Sequence, residues 1–162
     1  MIKKVVTIGV YGFGEADFFA ALELAGVDVF CDVRQRRGVR GATYAFANSQ
    51  RLQAHLAELG IHYLHRKDLA PTTAVRQQQK AADKANKIAK RQRDQLSQVF
   101  INAYETEILS QFEPQSLLDE LPPTAEVIAL FCVEREPTAC HRSLVAQKLA
   151  AAWAIPVEDI KP

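Results

Sequence analysis

Cysteine is scarce in this chain: three residues in 162, none in C-x-x-C spacing, which excludes a disulfide framework and the usual zinc-finger patterns. Long hydrophobic runs are lacking as well. The Met1-Ile2-Lys3-Lys4-Val5-Val6 start resembles a signal peptide only superficially, because its apolar run breaks at Gly12-Phe13-Gly14-Glu15 without a cleavage-like segment. The expectation is a soluble, cytoplasmic protein with reduced thiols and no membrane partner. An excess of one charge is missing too: the net is +1, so bulk attraction to nucleic acid or membrane is not implied. Neither an internal repeat nor a linker interrupts the chain, so residues 1–162 are expected to form one domain. A domain of this length buries roughly two-thirds of the surface its unfolded form exposes, with no need of a structural metal.

What is present reads as alternating strands and helices. Residues 3–10 form an apolar first strand, and Gly12 and Gly14 open a loop before a helix with Phe18, Phe19, Leu22 and Ala25 on one face. Gly26 ends that helix as a left-handed cap. A strand over Val27 to Val33 runs into the basic turn Arg34-Gln35-Arg36-Arg37-Gly38. Asn48 is the expected N-cap of a helix carrying Leu52, Leu56 and Leu59, closed by Gly60 before a short strand from Ile61 to Leu64. Pro71 and Thr72-Thr73 start a long basic helical segment over about residues 72–112, whose polar first half does not look packed on a core. Val127 to Phe131 is an unbroken apolar run suited to a strand buried on both faces, and Ile155 to Ile160 supplies an edge strand. The order predicts a three-layer α/β fold of Rossmann-like type, with a mostly parallel central sheet and helices on both faces.

The chemistry-bearing residues gather where strands end. Cys132-Val133-Glu134 and Cys140-His141-Arg142 bring two thiols, a carboxylate, an imidazole and a guanidinium to one strand-to-helix turn. Thr138 is the expected N-cap of the last helix, placing Cys140, His141 and Arg142 in its first turn, where amide groups and the macrodipole favour anions. Arg142 then binds an anionic ligand, pairs with Glu134 or Asp32, or faces solvent. Cys140 beside His141 is a candidate nucleophile with a lowered pKa, against packing as the other role of a buried thiol. Asp32 and Glu134 offer a general acid and base, although Asp32 can equally hold Arg34. Gly9, Arg34, Cys132 and Arg142 complete the expected site as ligand-binding positions, since ligands of open α/β sheets bind beyond the carboxyl ends of the strands. Neither a metal nor a cofactor is expected, and a C-x5-R phosphatase loop is absent because Thr138 stands six residues after Cys132.

Taken together, Thr7-Ile8-Gly9, Asp32-Val33-Arg34, Gly60-Ile61-His62-Tyr63, Phe100 with Tyr104, Cys132-x-Glu134 and Cys140-His141-Arg142 resemble the domain-of-unknown-function family 488. The resemblance implies a compact α/β domain of bacterial or archaeal type with a polar site at the carboxyl ends of its central strands. It implies no established activity. The chain departs from the family pattern at Val10-Tyr11, where a His-Ser step is common, and in the Arg34–Gly38 turn, which lacks a proline.

The remaining signal is a charge asymmetry. Seven cations between Arg76 and Asp94 face two carboxylates, giving +5 there and −4 over the rest of the chain. Lys80, Lys84, Lys87 and Arg91 step along one helix face, a stripe suited to phosphate backbones, but no aromatic residue lies among them to stack on bases. Two readings follow. The first is an anion-binding site, with or without catalysis, for a phosphorylated or nucleotide-like ligand. The other is a non-catalytic nucleic-acid or protein interaction module using the 76–94 helix with Arg36, Arg37 and Arg40. The first predicts a pocket in which the site residues converge; the second predicts a continuous basic surface away from it.

Overall fold

A computed structural model of the chain describes residues 1–89 and 92–162. Five strands, β1 (Lys4–Ile8), β2 (Val29–Asp32), β3 (His62–His65), β4 (Val127–Phe131) and β5 (Val157–Ile160), form one sheet in the order β3-β2-β4-β1-β5. Every pairing is parallel. The unbroken apolar sequence of β4 has its physical reason here: it lies in the middle position, paired on both sides and covered on both faces, so neither side of the strand meets water. Among the described residues no helix is long and apolar enough to cross a membrane.

Alternate residues of the strands feed two cores. On one face α1 (Glu15–Leu24) and α2 (Ser49–Glu58) pack Phe18, Leu22, Leu52 and Leu56 against Val6, Ile8, Phe30 and Phe131. On the other, α3 (Thr73–Ala85), α4 (Gln98–Glu107), α5 (Pro114–Leu118) and α6 (Arg142–Trp153) bring Val75, Tyr104, Leu117, Val145 and Leu149 onto Val5, Val29, Cys31 and Leu130. The expected three-layer arrangement is thus present, with an all-parallel sheet. Gly26 and Gly60 sit at φ +70° and +72° just beyond α1 and α2, the left-handed conformation that ends a helix most cheaply when no Cβ is present.

Four local expectations are corrected. The tract at 72–112 is not one helix: α3 ends at Ala85, Lys87 takes φ 55°, and α4 starts afresh with Ser97 accepting from the Phe100 amide at 3.1 Å. Nor is the first half unpacked. Val75, Gln79 and Asp83 form its buried face, and the polar pair is tolerated because Gln79 donates to Asp83 at 2.8 Å and accepts the Ser97 amide at 2.7 Å. Thr138 does not cap α6. It lies in a short 3-10 turn, Pro137–Ala139, and donates to the Asp94 carbonyl, leaving His141 at the N-cap position. Asn48 does precede α2, but its Oδ1 accepts from the Val39 amide at 2.6 Å and makes no side-chain cap.

Candidate functional site

The strand order creates the site. From β2 the chain moves outward to β3 through α2, whereas from β4 it moves the opposite way to β5 through α6. Adjacent strands whose connections diverge leave a crevice beyond their carboxyl ends. A cavity of about 380 Å³ opens there, walled by the turn after β2, the turn after β4 and α3. Arg34, Cys132, Glu134, Cys140 and His141 all line it. Asp32, Gly9 and Arg142 do not.

The wall after β2 is built on a buried ion pair. Arg34 Nε and Nη2 donate to the two Asp32 carboxylate oxygens at 2.9 and 2.8 Å, and Nη1 donates to the Ala47 carbonyl at 2.9 Å. The guanidinium also lies 4.7 Å over the Phe131 ring. Tyr63 donates to Asp32 Oδ2 at 2.8 Å, and burial pushes its hydroxyl up to about 12. Asp32, with no exposed surface, thus holds Arg34, one of the two roles the sequence left open, and it is not among the residues lining the cavity.

Two sulfurs and an imidazole form the floor. His141 Nε2 lies 2.8 Å from the Val33 carbonyl oxygen. A carbonyl only accepts, so Nε2 carries a proton, and in the neutral ring Nδ1 presents its lone pair. That lone pair faces Cys140 Sγ at 3.8 Å. Burial alone pushes the Cys140 thiol up, but the Cys132 thiol that donates to it, the nearby Arg142 guanidinium and the Arg142 amide outweigh this and bring it from 9.0 down to about 7. The Cys132 thiol, donating to Cys140 and buried beside it, moves the other way, well above 9.0. Cys31 is fully buried in β2 and pushed far up by desolvation.

Arg142 sits beneath this floor, with no exposed surface. Its Nη1 donates to the Glu134 carbonyl at 2.5 Å and Nη2 to the Arg135 carbonyl at 3.3 Å, so it clamps the turn after β4 by its backbone and pairs with neither expected carboxylate. Gly9 serves the same turn. A Cβ there would lie 1.6 Å from the Glu134 carbonyl oxygen and 3.0 Å from Arg142 Nη1, so only glycine lets the end of β1 pass. Of the four residues expected to bind ligand, Gly9 and Arg142 thus shape the site from behind, whereas Arg34 and Cys132 line it.

The residue that the sequence reading missed is Arg93. Its Nη1 donates to Asp83 at 2.8 Å, while Nη2 donates to Glu134 at 3.0 Å and to the Ala139 carbonyl at 3.1 Å. It thereby ties α3 to the turn after β4 and to the end of the 3-10 segment, and among the described residues it neutralises the one carboxylate in the cavity wall. Its signal in the sequence was hidden, because it is one of seven cations in a tract that reads as uniform. Around the mouth stand Arg36, Arg40, Arg76 and Lys80. Arg76 donates to neutral Gln35 at 2.7 Å, and among the described residues none of the four is in an ion pair. Lys84 and Lys87 are exposed further along, Lys87 beyond the end of α3, and Arg91 lies outside the described residues.

No curated protein and no solved structure matches this chain. The family model described as Domain of unknown function DUF488 matches residues 16–149, a span holding Asp32, Arg34, the whole sulfur and imidazole floor, Glu134 and Arg142. The chain belongs to the DUF488 family.

Proposed function

We propose that the cavity binds a phosphorylated or nucleotide-like anion, held at the mouth by Arg36, Arg40, Arg76 and Lys80 with its reacting end on the Cys140 and His141 floor. The observation that carries this reading is the imbalance of charge around the cavity. Glu134 is the only carboxylate in its lining, and Arg93 already answers it, while the four rim cations have no carboxylate partner among the described residues. Cations concentrated at the mouth of a low-dielectric cleft attract anions and hold them by charge-assisted hydrogen bonds. The alternative, a basic helix acting as a separate interaction surface, is disfavoured because Arg36, Arg40, Arg76 and Lys80 face the same cavity rather than a surface away from it. The end of α3 at Ala85 also interrupts the helical stripe between Lys84 and Lys87.

Calorimetric titration of the metal-free protein with pyrophosphate tests the reading. Binding is expected, with Arg76→Gln and Lys80→Gln each weakening it about tenfold, the size of one lost charge-assisted hydrogen bond. A wild-type protein that takes up no pyrophosphate at low salt rejects the proposal, as does an affinity unchanged in the double variant.

A further inference from the structure

Cys132 Sγ, Cys140 Sγ and a ring nitrogen of His141 all lie within 4.8 Å of one another, at the end of β4 and the start of α6, and His141 Nδ1 is the nitrogen that faces Cys140 Sγ. We propose that these three atoms hold a soft divalent transition ion of the zinc type, with its fourth position open to the cavity. The geometry is close to that of a bound site. Metal–sulfur and metal–nitrogen bonds of about 2.3 and 2.0 Å at a tetrahedral centre put sulfur and nitrogen roughly 3.6 Å apart, and two sulfurs roughly 3.8 Å apart. Cys140 Sγ and His141 Nδ1 stand at 3.8 Å already. Drawing in the longest separation by about 1 Å is a side-chain adjustment.

The surroundings also suit a ligand set. A metal-bound imidazole commonly gives its other N–H to a carbonyl or carboxylate, which fixes the ring and raises the basicity of the ligating nitrogen. His141 makes that bond to Val33 O at 2.8 Å, and so turns Nδ1 toward the sulfurs. The Arg142 amide points at Cys140 Sγ at 3.5 Å, the outer hydrogen bond a coordinated thiolate accepts. Binding exchanges the thiol protons for the ion: up to two protons leave to solvent and two sulfur–metal bonds form, which neutralises a divalent charge inside the protein. Two sulfurs and one nitrogen favour zinc-type ions over hard cations, and three protein ligands with one open place are the pattern of a catalytic rather than a structural zinc. Glu134 does not close the site, since it lies outside the cluster and its carboxylate is held by Arg93. The sequence argues against this arrangement because seven residues lie between the two cysteines and neither belongs to a C-x-x-C pair.

This inference stands on the ligand geometry and does not rest on anion binding. The reduced full chain, stripped with a chelator, is titrated with zinc(II) and cobalt(II). One ion per chain is expected, with a thiolate-to-cobalt charge-transfer absorption from two sulfurs. Cys132→Ser and Cys140→Ser should each reduce both absorption and affinity more than tenfold, His141→Gln should reduce affinity while leaving the absorption, and Cys31→Ser should change neither. Failure of the wild type to take up one ion, or affinity unchanged in Cys132→Ser or Cys140→Ser, overturns the proposal. Should the variants fail to fold, X-ray absorption of the zinc-loaded wild type decides instead: two sulfur neighbours and an imidazole nitrogen support the site, and oxygen and nitrogen neighbours alone overturn it. Because pyrophosphate binding is measured without metal, either result stands when the other fails.

Discussion

Cys140 and Cys31 have the same chemistry and opposite environments, which makes them a matched pair for measurement. In the metal-free protein Cys140 should alkylate with half-maximal rate near pH 7, whereas Cys31 should stay inert until the chain unfolds. The same shifts set a stability profile. Between about 7 and 9.0 the folded Cys140 has lost its proton while the unfolded thiol keeps it, so stability rises with pH across that window and is lost as pH falls through 7. Above 9.0 the sign reverses, because buried Cys31 and Cys132 keep protons that the unfolded thiols release. Denaturant midpoints against pH should therefore rise and then fall, and Cys140→Ser should flatten the rising limb; a rise that persists in the variant means another group causes it. Arg142 presents a second test. Losing its bonds to the Glu134 and Arg135 carbonyls, Arg142→Lys should cost about 2 kcal/mol or more in urea unfolding and leave pyrophosphate affinity unchanged. The reverse pattern would restore the ligand-binding role that its place in the sequence suggested.

At the scale of elements, the strands and the glycine stops after α1 and α2 were legible because their signals are local. An apolar run such as Val127–Phe131 and a glycine after a helical face each identify a conformation without knowledge of the remainder of the chain. The break between α3 and α4 was not legible. Gln79 and Asp83 read as a solvated face, and only the Ser97 amide and Arg93, distant in sequence, turn that face inward. Site residues followed the same rule: the sequence pointed to the carboxyl ends of strands, where Arg34, Cys132, Glu134, Cys140 and His141 line the cavity, but could not distinguish a residue facing the cavity from one behind it. Gly9 and Arg142 belong to the second kind. The tight crossing of β1 under the turn after β4 predicts that Gly9→Ala is severely destabilising, by more than about 3 kcal/mol in chemical denaturation, because the clash is with backbone and no side chain can rotate away. An alanine variant of wild-type stability would mean that this turn is free to move.

Across the whole molecule, the two faces of the sheet divide the work. The face under α1 and α2 is an aromatic core in which Phe18 meets Phe13, Phe19, Phe30, Phe46 and Phe131, and Phe131 in turn lies under Arg34. Phe18→Ala should cost about 3–5 kcal/mol, and circular dichroism during thermal melting should show the loss as one transition for the whole chain. The other face carries the sulfurs, the buried Tyr104 that stands edge-on to His141 at 5.5 Å, and the helices that wall the cavity. The position of β4 between β2 and β1 has a consequence in time. Of these five strands β1 is made before the others, yet it pairs with β4 and β5, which both follow β3 in the chain, while β2 and β3 find each other early. Until β4 is made β1 waits with both edges unpaired, and a chain cut short before Val127 would hold Arg34, lack Cys140, and be open to pairing with a second incomplete chain.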